Sequence, residues 1–124
     1  MLEKGARVVS VDPGSLDQSV ASHPNLTVYK GTAQDFLTRP IGKQYDIILN
    51  DIKMDAIKSS DLMASFKPFL APNGRFVMTM KLPRQNQMAV IKKGMVILKQ
   101  KYSITHARQL FHNRSEITVT GINK

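Results

Sequence analysis

Tyr45-Asp46-Ile47-Ile48-Leu49-Asn50-Asp51 is a run of apolar β-formers that ends on a carboxylate. Arg75-Phe76-Val77-Met78-Thr79-Met80-Lys81 repeats the pattern and ends on an amine. Glu116 opens a third run, Glu116-Ile117-Thr118-Val119-Thr120. The continuous apolar centre of the first run is the mark of a parallel strand covered on both faces. In open α/β sheets, ligands bind at the rim where such strands end. A carboxylate, an amine and a second carboxylate are therefore expected at one sheet edge. Together they can bind and deprotonate a hydroxyl, or they can form a plain ion pair at the rim.

Working outward, residues 6–12 (Ala-Arg-Val-Val-Ser-Val-Asp) read as a buried strand broken by Pro13-Gly14. Residues 16–21 can form a short helix. Residues 25–30 read as the next strand, and 33–37 as a helical turn. Ser59 or Ser60 is the expected cap of a helix running to about residue 70, with Leu62, Phe66, Phe69 and Leu70 on one face. Pro72-Asn73-Gly74 is expected to end it. Residues 84–101 predict a longer helix, with Met88, Ile91, Met95 and Leu98 spaced by three and four. Residues 103–111 and 116–122 predict two final strands joined by a short link, hence antiparallel. This alternation argues for a doubly wound α/β sheet with a closing hairpin, in one domain spanning residues 1–124.

The bulk numbers narrow the function. Hydrophobic content of 42% and charged content of 22% fit a globular protein. No apolar run is long enough to span a membrane, Met1-Leu2-Glu3-Lys4 shows no signal-peptide pattern, and a cytoplasmic location is the expectation. Without cysteine, disulfides and thiolate metal sites are excluded. His23, His106 and His112 have no metal-ligand spacing. The net charge of +9 is concentrated in residues 81–124, where nine basic residues face Glu116 alone. Such asymmetry points to a polyanion, with nucleic acid first; a solvated helix face is the plainer explanation. For RNA, the expected phosphate contacts are Arg84, Lys92, Lys93, Arg108 and Arg114. Asp12, at a strand end, fits a ribose-binding acid as well as a turn cap. No Gly-rich phosphate loop precedes it.

Four segments carry a family resemblance: Val9-Ser10-Val11-Asp12-Pro13-Gly14, Asn50-Asp51, Met80-Lys81-Leu82-Pro83, and the long stretch Ala107-Arg108-Gln109-Leu110-Phe111-His112-Asn113-Arg114-Ser115-Glu116-Ile117-Thr118-Val119. On these the chain resembles the FtsJ-like (RrmJ-type) ribose 2′-O-methyltransferases. It is especially similar to the RlmM-type enzymes acting on large-subunit ribosomal RNA. The resemblance implies a Rossmann-like sheet with its last strand inserted antiparallel, S-adenosylmethionine as cofactor and RNA as partner. It also implies a Lys-Asp-Lys-Glu tetrad, whose last three members match Asp51, Lys81 and Glu116. Lys81 would then take the proton of an RNA 2′-hydroxyl, with Asp51 and Glu116 orienting it. Asp12 would lie at the adenosine and Asp35 near the adenine, although Thr32 stands where an acid was expected.

The family's first strand, Gly-rich loop and first tetrad lysine have no counterpart in Met1–Gly5. Without that central strand, the strands of residues 6–12 and 45–50 are expected to pair directly, to leave a gap, or to receive a strand from another molecule in a strand-exchanged homodimer. The expectation is weak cofactor binding and weak activity by this chain alone. Two alternatives stand beside this reading. One is a noncatalytic RNA-binding or assembly module of the same fold. The other is a response-regulator receiver domain with Asp51 as phosphoacceptor; an unpaired Asp12, Thr79 and Lys81 on a single strand, and the closing hairpin all speak against it.

Overall fold

The computed structural model describes residues 8–11, 26–29, 31–39, 42, 44–110 and 113–124. The chain divides into two compact units, Met1–Pro40 and Ile41–Lys124. In the first, β1 (Val8–Val11) pairs parallel with β2 (Leu26–Tyr29), in register from Val8 opposite Leu26 to Val11 opposite Tyr29. The short helix α1 (Ala33–Leu37) follows. Thr32 caps it: its hydroxyl accepts from the Asp35 amide at 3.1 Å, and the Asp35 carboxylate receives the Thr32 amide in return. Such reciprocal caps satisfy two N–H groups that the helix leaves open. Phe36 stands edge-on to Tyr29, with ring centroids 5.3 Å apart, and the Arg39 guanidinium lies 5.0 Å from the Tyr29 ring centre. The expected helix over 16–21, together with Asp12, His23 and Met1–Gly5, lies outside the described residues.

The second unit is a four-stranded sheet covered on one face by two helices. Its elements are β3 (Tyr45–Asn50), α2 (Ala56–Ser65), a 3-10 turn (Lys67–Phe69), β4 (Leu70–Lys81), α3 (Gln87–Lys99), β5 (Tyr102–Leu110) and β6 (Asn113–Asn123). The strand order is β3-β4-β6-β5. β3 and β4 run parallel, while β6 is inserted antiparallel between β4 and β5. The expected closing hairpin is thus present. Its second strand, not its first, pairs with β4.

Alternation along β4 sets the core. Phe76, Met78 and Met80 are fully buried and meet Ala56 and Met63 of α2, Leu98 of α3, and Ile117 and Val119 of β6. Tyr102 is also fully buried: its ring lies 4.6 Å from that of Phe76, and its hydroxyl donates to the Met63 carbonyl at 2.7 Å. Burial pushes the Tyr102 phenol pKa well above its ordinary value. Gly94 lets α3 close on this layer, since a Cβ there would stand 2.8 Å from the Ser60 Oγ and 3.0 Å from the Met80 Cε.

Two local expectations are corrected. α2 is capped by Asp55, whose carboxylate accepts from the amides of Ile57 and Lys58, both at 3.1 Å. Ser59 and Ser60 are interior residues of the helix and are buried. Pro72-Asn73-Gly74 lies inside β4 and does not end a helix. α2 ends earlier, at Ser65, before the proline-containing 3-10 turn. Between Leu70 and Arg75 the register shifts against β3, and Asn73 takes up the left-handed conformation (φ 62°) that such an irregularity needs.

Candidate active site

The ends of β3 and β4 meet the first half of β6 at one corner. β4 closes on Lys81, which sits opposite Glu116 in the antiparallel pair with β6. β3 closes on Asn50, and Asp51 leaves the strand just beyond it. Lys81 Nζ donates to Glu116 Oε1 at 2.8 Å and to Asp51 Oδ1 at 3.0 Å. The two acceptors differ in exposure: the Glu116 side chain retains 21% of its surface and that of Asp51 77%. One arm is therefore held in the sheet and the other stands in water.

The backbone fixes the corner from two sides. The Leu82 amide donates to the Ser115 carbonyl at 2.7 Å, tying the exit of β4 to the segment before Glu116. On the other side, Asn50 is buried; its Nδ2 donates to the Ser59 Oγ and its Oδ1 accepts from the Ile52 amide, both at 3.2 Å. This clamp sets the turn that carries Asp51, a role that sequence reasoning does not give to Asn50. An Asx residue before a strand exit is its only signal.

The electrostatics follow from the geometry. Lys81 is raised above its ordinary value of 10.5, first by the hydrogen bond to Glu116 and then by that to Asp51, with burial acting against both. The resting amine is an ammonium. It has three N–H donors, and the carboxylates take two. Among the described residues the third has no acceptor and can serve an incoming oxygen.

The other expected site residues are spread out. Asp35 belongs to the first unit, where its carboxylate serves the cap of α1. Asp12 lies outside the described residues. Arg84, in the loop after β4, is exposed, as are Lys92 and Lys93 on α3. Arg108 is exposed on β5, opposite Thr118. The side chain of Arg114 lies outside the described residues. Among the described residues there is no group of three or more His, Asp or Glu side chains that could hold a metal ion. No described helix is long and apolar enough to cross a membrane.

No protein-family model matches the sequence, and a search of the curated proteins finds no match. Solved structures do match in fold. The Methanococcus jannaschii fibrillarin pre-rRNA processing protein superposes with a TM-score of 0.77 at 17% identity, over 94% of this chain and 55% of that one. Aeropyrum pernix fibrillarin, in complex with natively bound S-adenosyl-L-methionine, gives 0.70 at 14% identity, over 93% of this chain and 55% of its own. The 16S rRNA (adenine(1408)-N(1))-methyltransferase of Catenulisporales acidiphilia gives 0.65 at 12% identity, over 94% of this chain and 73% of its own. The fold is thus the Rossmann-like methyltransferase fold, with its antiparallel strand inserted next to β4. The chain spans just over half the length of the two fibrillarins.

Proposed function

We propose that this chain carries the proton-handling site of an S-adenosylmethionine-dependent RNA ribose 2′-O-methyltransferase, with ribosomal RNA as the substrate. The observation that carries the proposal is Lys81 held between Glu116 and Asp51 at the strand ends, with one donor left over. Similar folds serve different acceptors, as the adenine-N(1) enzyme illustrates, so the choice of a ribose oxygen rests on this trio and on the FtsJ-like segments. A weakly acidic hydroxyl needs a base before it can attack, whereas an adenine nitrogen brings its own lone pair.

The donor set fits a cationic cofactor. Asp51, an exposed carboxylate at the end of a parallel strand, is placed to face positive charge. When bound, S-adenosylmethionine supplies an electrophilic methyl group. The chain's own work is at the amine. Glu116 keeps Lys81 in place. Covering the site withdraws water from the ammonium, and drawing Asp51 toward another cation removes one of the two groups that raise its pKa. Lys81 then releases one proton to solvent water, and the lone pair freed at Nζ, in the third direction, accepts the proton of the 2′-hydroxyl. Positioning accounts for much of the rate in such a transfer. Asp12 and Asp35 are proposed for the adenosine. Arg84, Lys92, Lys93, Arg108 and Arg114 are proposed for phosphates.

A second reading, a noncatalytic RNA-binding module of the same fold, is favoured by one observation: the resting Lys81 is a firmly protonated ammonium, which serves a phosphate as well as a hydroxyl. Titration calorimetry with S-adenosylmethionine, followed by assay of methyl transfer to RNA, separates the two. Binding together with 2′-O-methyl product supports the enzyme. RNA binding without either supports the module.

A further inference from the structure

Strand register surrounds the trio with a second row of polar side chains. Phe76, Met78 and Met80 of β4 and Ile117 and Val119 of β6 face the helices, so Thr79, Lys81, Glu116 and Thr118 share the other face of the sheet. Arg108 of β5 pairs with Thr118 and lies on that same face. The row at the rim is Lys81–Glu116, and the next is Thr79–Thr118–Arg108. β4 and β5 are both antiparallel to β6, so Arg108 sits toward the same end of the sheet as Lys81. By strand geometry its Cα is two strands across, about 10 Å, and two residues along, about 7 Å, from that of Lys81. Two long side chains can close that separation onto one nucleotide. The third row, Val77–Thr120–His106, differs: Thr120 shares its hydroxyl with that of Thr105, at 2.7 Å. The hydroxyls of Thr79 and Thr118 and the Arg108 guanidinium have no partner among the described residues.

We propose that Arg108, with Thr118 and Thr79, is the subsite for the phosphate 3′ to the methylated ribose, and that the RNA strand crosses the rim from β4 toward β5. This rests on the ribose 2′-O reading given above. In RNA the 2′-hydroxyl sits on the carbon next to the one that bears the 3′-phosphate. A group that fixes this phosphate therefore fixes the hydroxyl at Lys81 Nζ. The charges fit. Both carboxylates of the corner are engaged by Lys81, so an anion on Arg108 meets no unpaired acid in these two rows. A guanidinium holds a phosphate through two parallel N–H donors, and threonine hydroxyls add further donors. Lys92 and Lys93 stand on α3, which covers the opposite face. They can add to affinity but are not placed to set the hydroxyl.

The chain has no cysteine, so a photo-cross-linker can be carried on one introduced thiol. His106→Cys, exposed beside the subsite, and Val96→Cys, exposed on α3, are each labelled with benzophenone maleimide and irradiated with a mixed-sequence single-stranded RNA. Cross-linking from His106→Cys is expected to exceed that from Val96→Cys severalfold, and to fall when Arg108→Gln is added. Circular dichroism checks that each variant is folded. Equal yields, a higher yield from Val96→Cys, or no change with Arg108→Gln overturns the strand path. This arm needs no methyl transfer, so its failure is distinct from failure of the 2′-O reading. In transfer to ribosomal RNA, Arg108→Gln should lower kcat for 2′-O-methyl product by about tenfold or more, with a smaller change in the Kd for RNA. Arg108→Lys should recover only part of that loss, because an ammonium lacks the planar fork. A loss confined to Kd overturns the subsite, since any surface cation would give it. Label on bases alone overturns the assignment to a ribose 3′-phosphate and leaves the cross-linking result intact.

Discussion

β4 has a lysine near each end, and the two are used in opposite ways. Lys67, just before the strand, donates to Asn123 Oδ1 and to the backbone carbonyls of Lys101 and Lys124, each of these carbonyls at 3.2 Å. Its donors meet the neutral oxygens of Lys101 and Asn123 and a backbone oxygen of Lys124, and the ammonium lies 5.9 Å from the Tyr102 ring centre. Lys81, at the far end, meets two carboxylates and keeps one donor in hand. Lys67 is saturated and binds the chain's last residues to the sheet. Lys81 is charged, oriented and incomplete. A buried or half-buried lysine thus signals function by what its hydrogen bonds leave over, not by how many it has.

The largest expected difference between the two ends is in catalysis. Lys81→Met should lower methyl transfer by about 100-fold or more, the usual scale for loss of a general base. Its melting temperature should change little, since partly exposed ion pairs contribute little to stability. Lys67→Met should do the reverse, costing about 1–3 kcal/mol in urea unfolding through three lost charged hydrogen bonds while sparing transfer under conditions where the variant is folded. Equal effects on activity would erase the contrast.

Next in size is the fold's own polar anchor. Tyr102→Phe leaves the buried Met63 carbonyl without its partner and is expected to cost about 1–3 kcal/mol, read by urea melts. A neutral result would mean that the carbonyl finds water.

The two arms of the trio should separate by pH. Glu116 is the first cause of the raised Lys81 pKa and Asp51 the second. Glu116→Gln should therefore bring the Lys81 titration down further than Asp51→Asn, measured by NMR on the Lys81 side chain. The limb on which the rate rises with pH, where Lys81 becomes the free amine, should move to lower pH in the same order. Stability carries the matching sign. A folded-state pKa raised above 10.5 gives a contribution fully present below that value and lost as pH rises through the folded value. Alkaline melts should show this loss in the wild type and less of it in Lys81→Met.

The smallest effect is expected at the scattered cations. Neutralising Arg84, Arg108 or the Lys92-Lys93 pair should each reduce the salt slope of RNA binding modestly, by about one unit for every phosphate no longer neutralised. Unchanged slopes would make these side chains ordinary solvated surface.

Much of this fold is legible in the chain because strands announce their ends. Runs closing on Asp51 and Lys81, and one opening on Glu116, need only a parallel pair and an antiparallel third strand to converge, and the apolar alternation supplies both. Three features are hidden for physical reasons. Ser59 and Ser60 have the composition of a cap but are buried inside α2, and Asp55 competes for the same role with a charge. The turn-forming Pro72-Asn73-Gly74 marks a break, but its composition does not say whether a helix or a strand is interrupted. The apolar run of β3 predicts two covered faces; among the described residues of the second unit the helices cover one, and Ile47 and Leu49 are exposed. That is a property of tertiary arrangement, which local pattern does not contain.

The most direct test of the central claim is transfer of labelled methyl from S-adenosylmethionine to RNA at high protein concentration and long incubation, with nuclease digestion and mass analysis of the nucleosides, for the wild type and Lys81→Met. The expected result is label in 2′-O-methyl nucleosides from the wild type and its loss by about 100-fold or more in Lys81→Met. Label on a base, or equal 2′-O-methyl product from both proteins, would contradict a proton-handling role for Lys81.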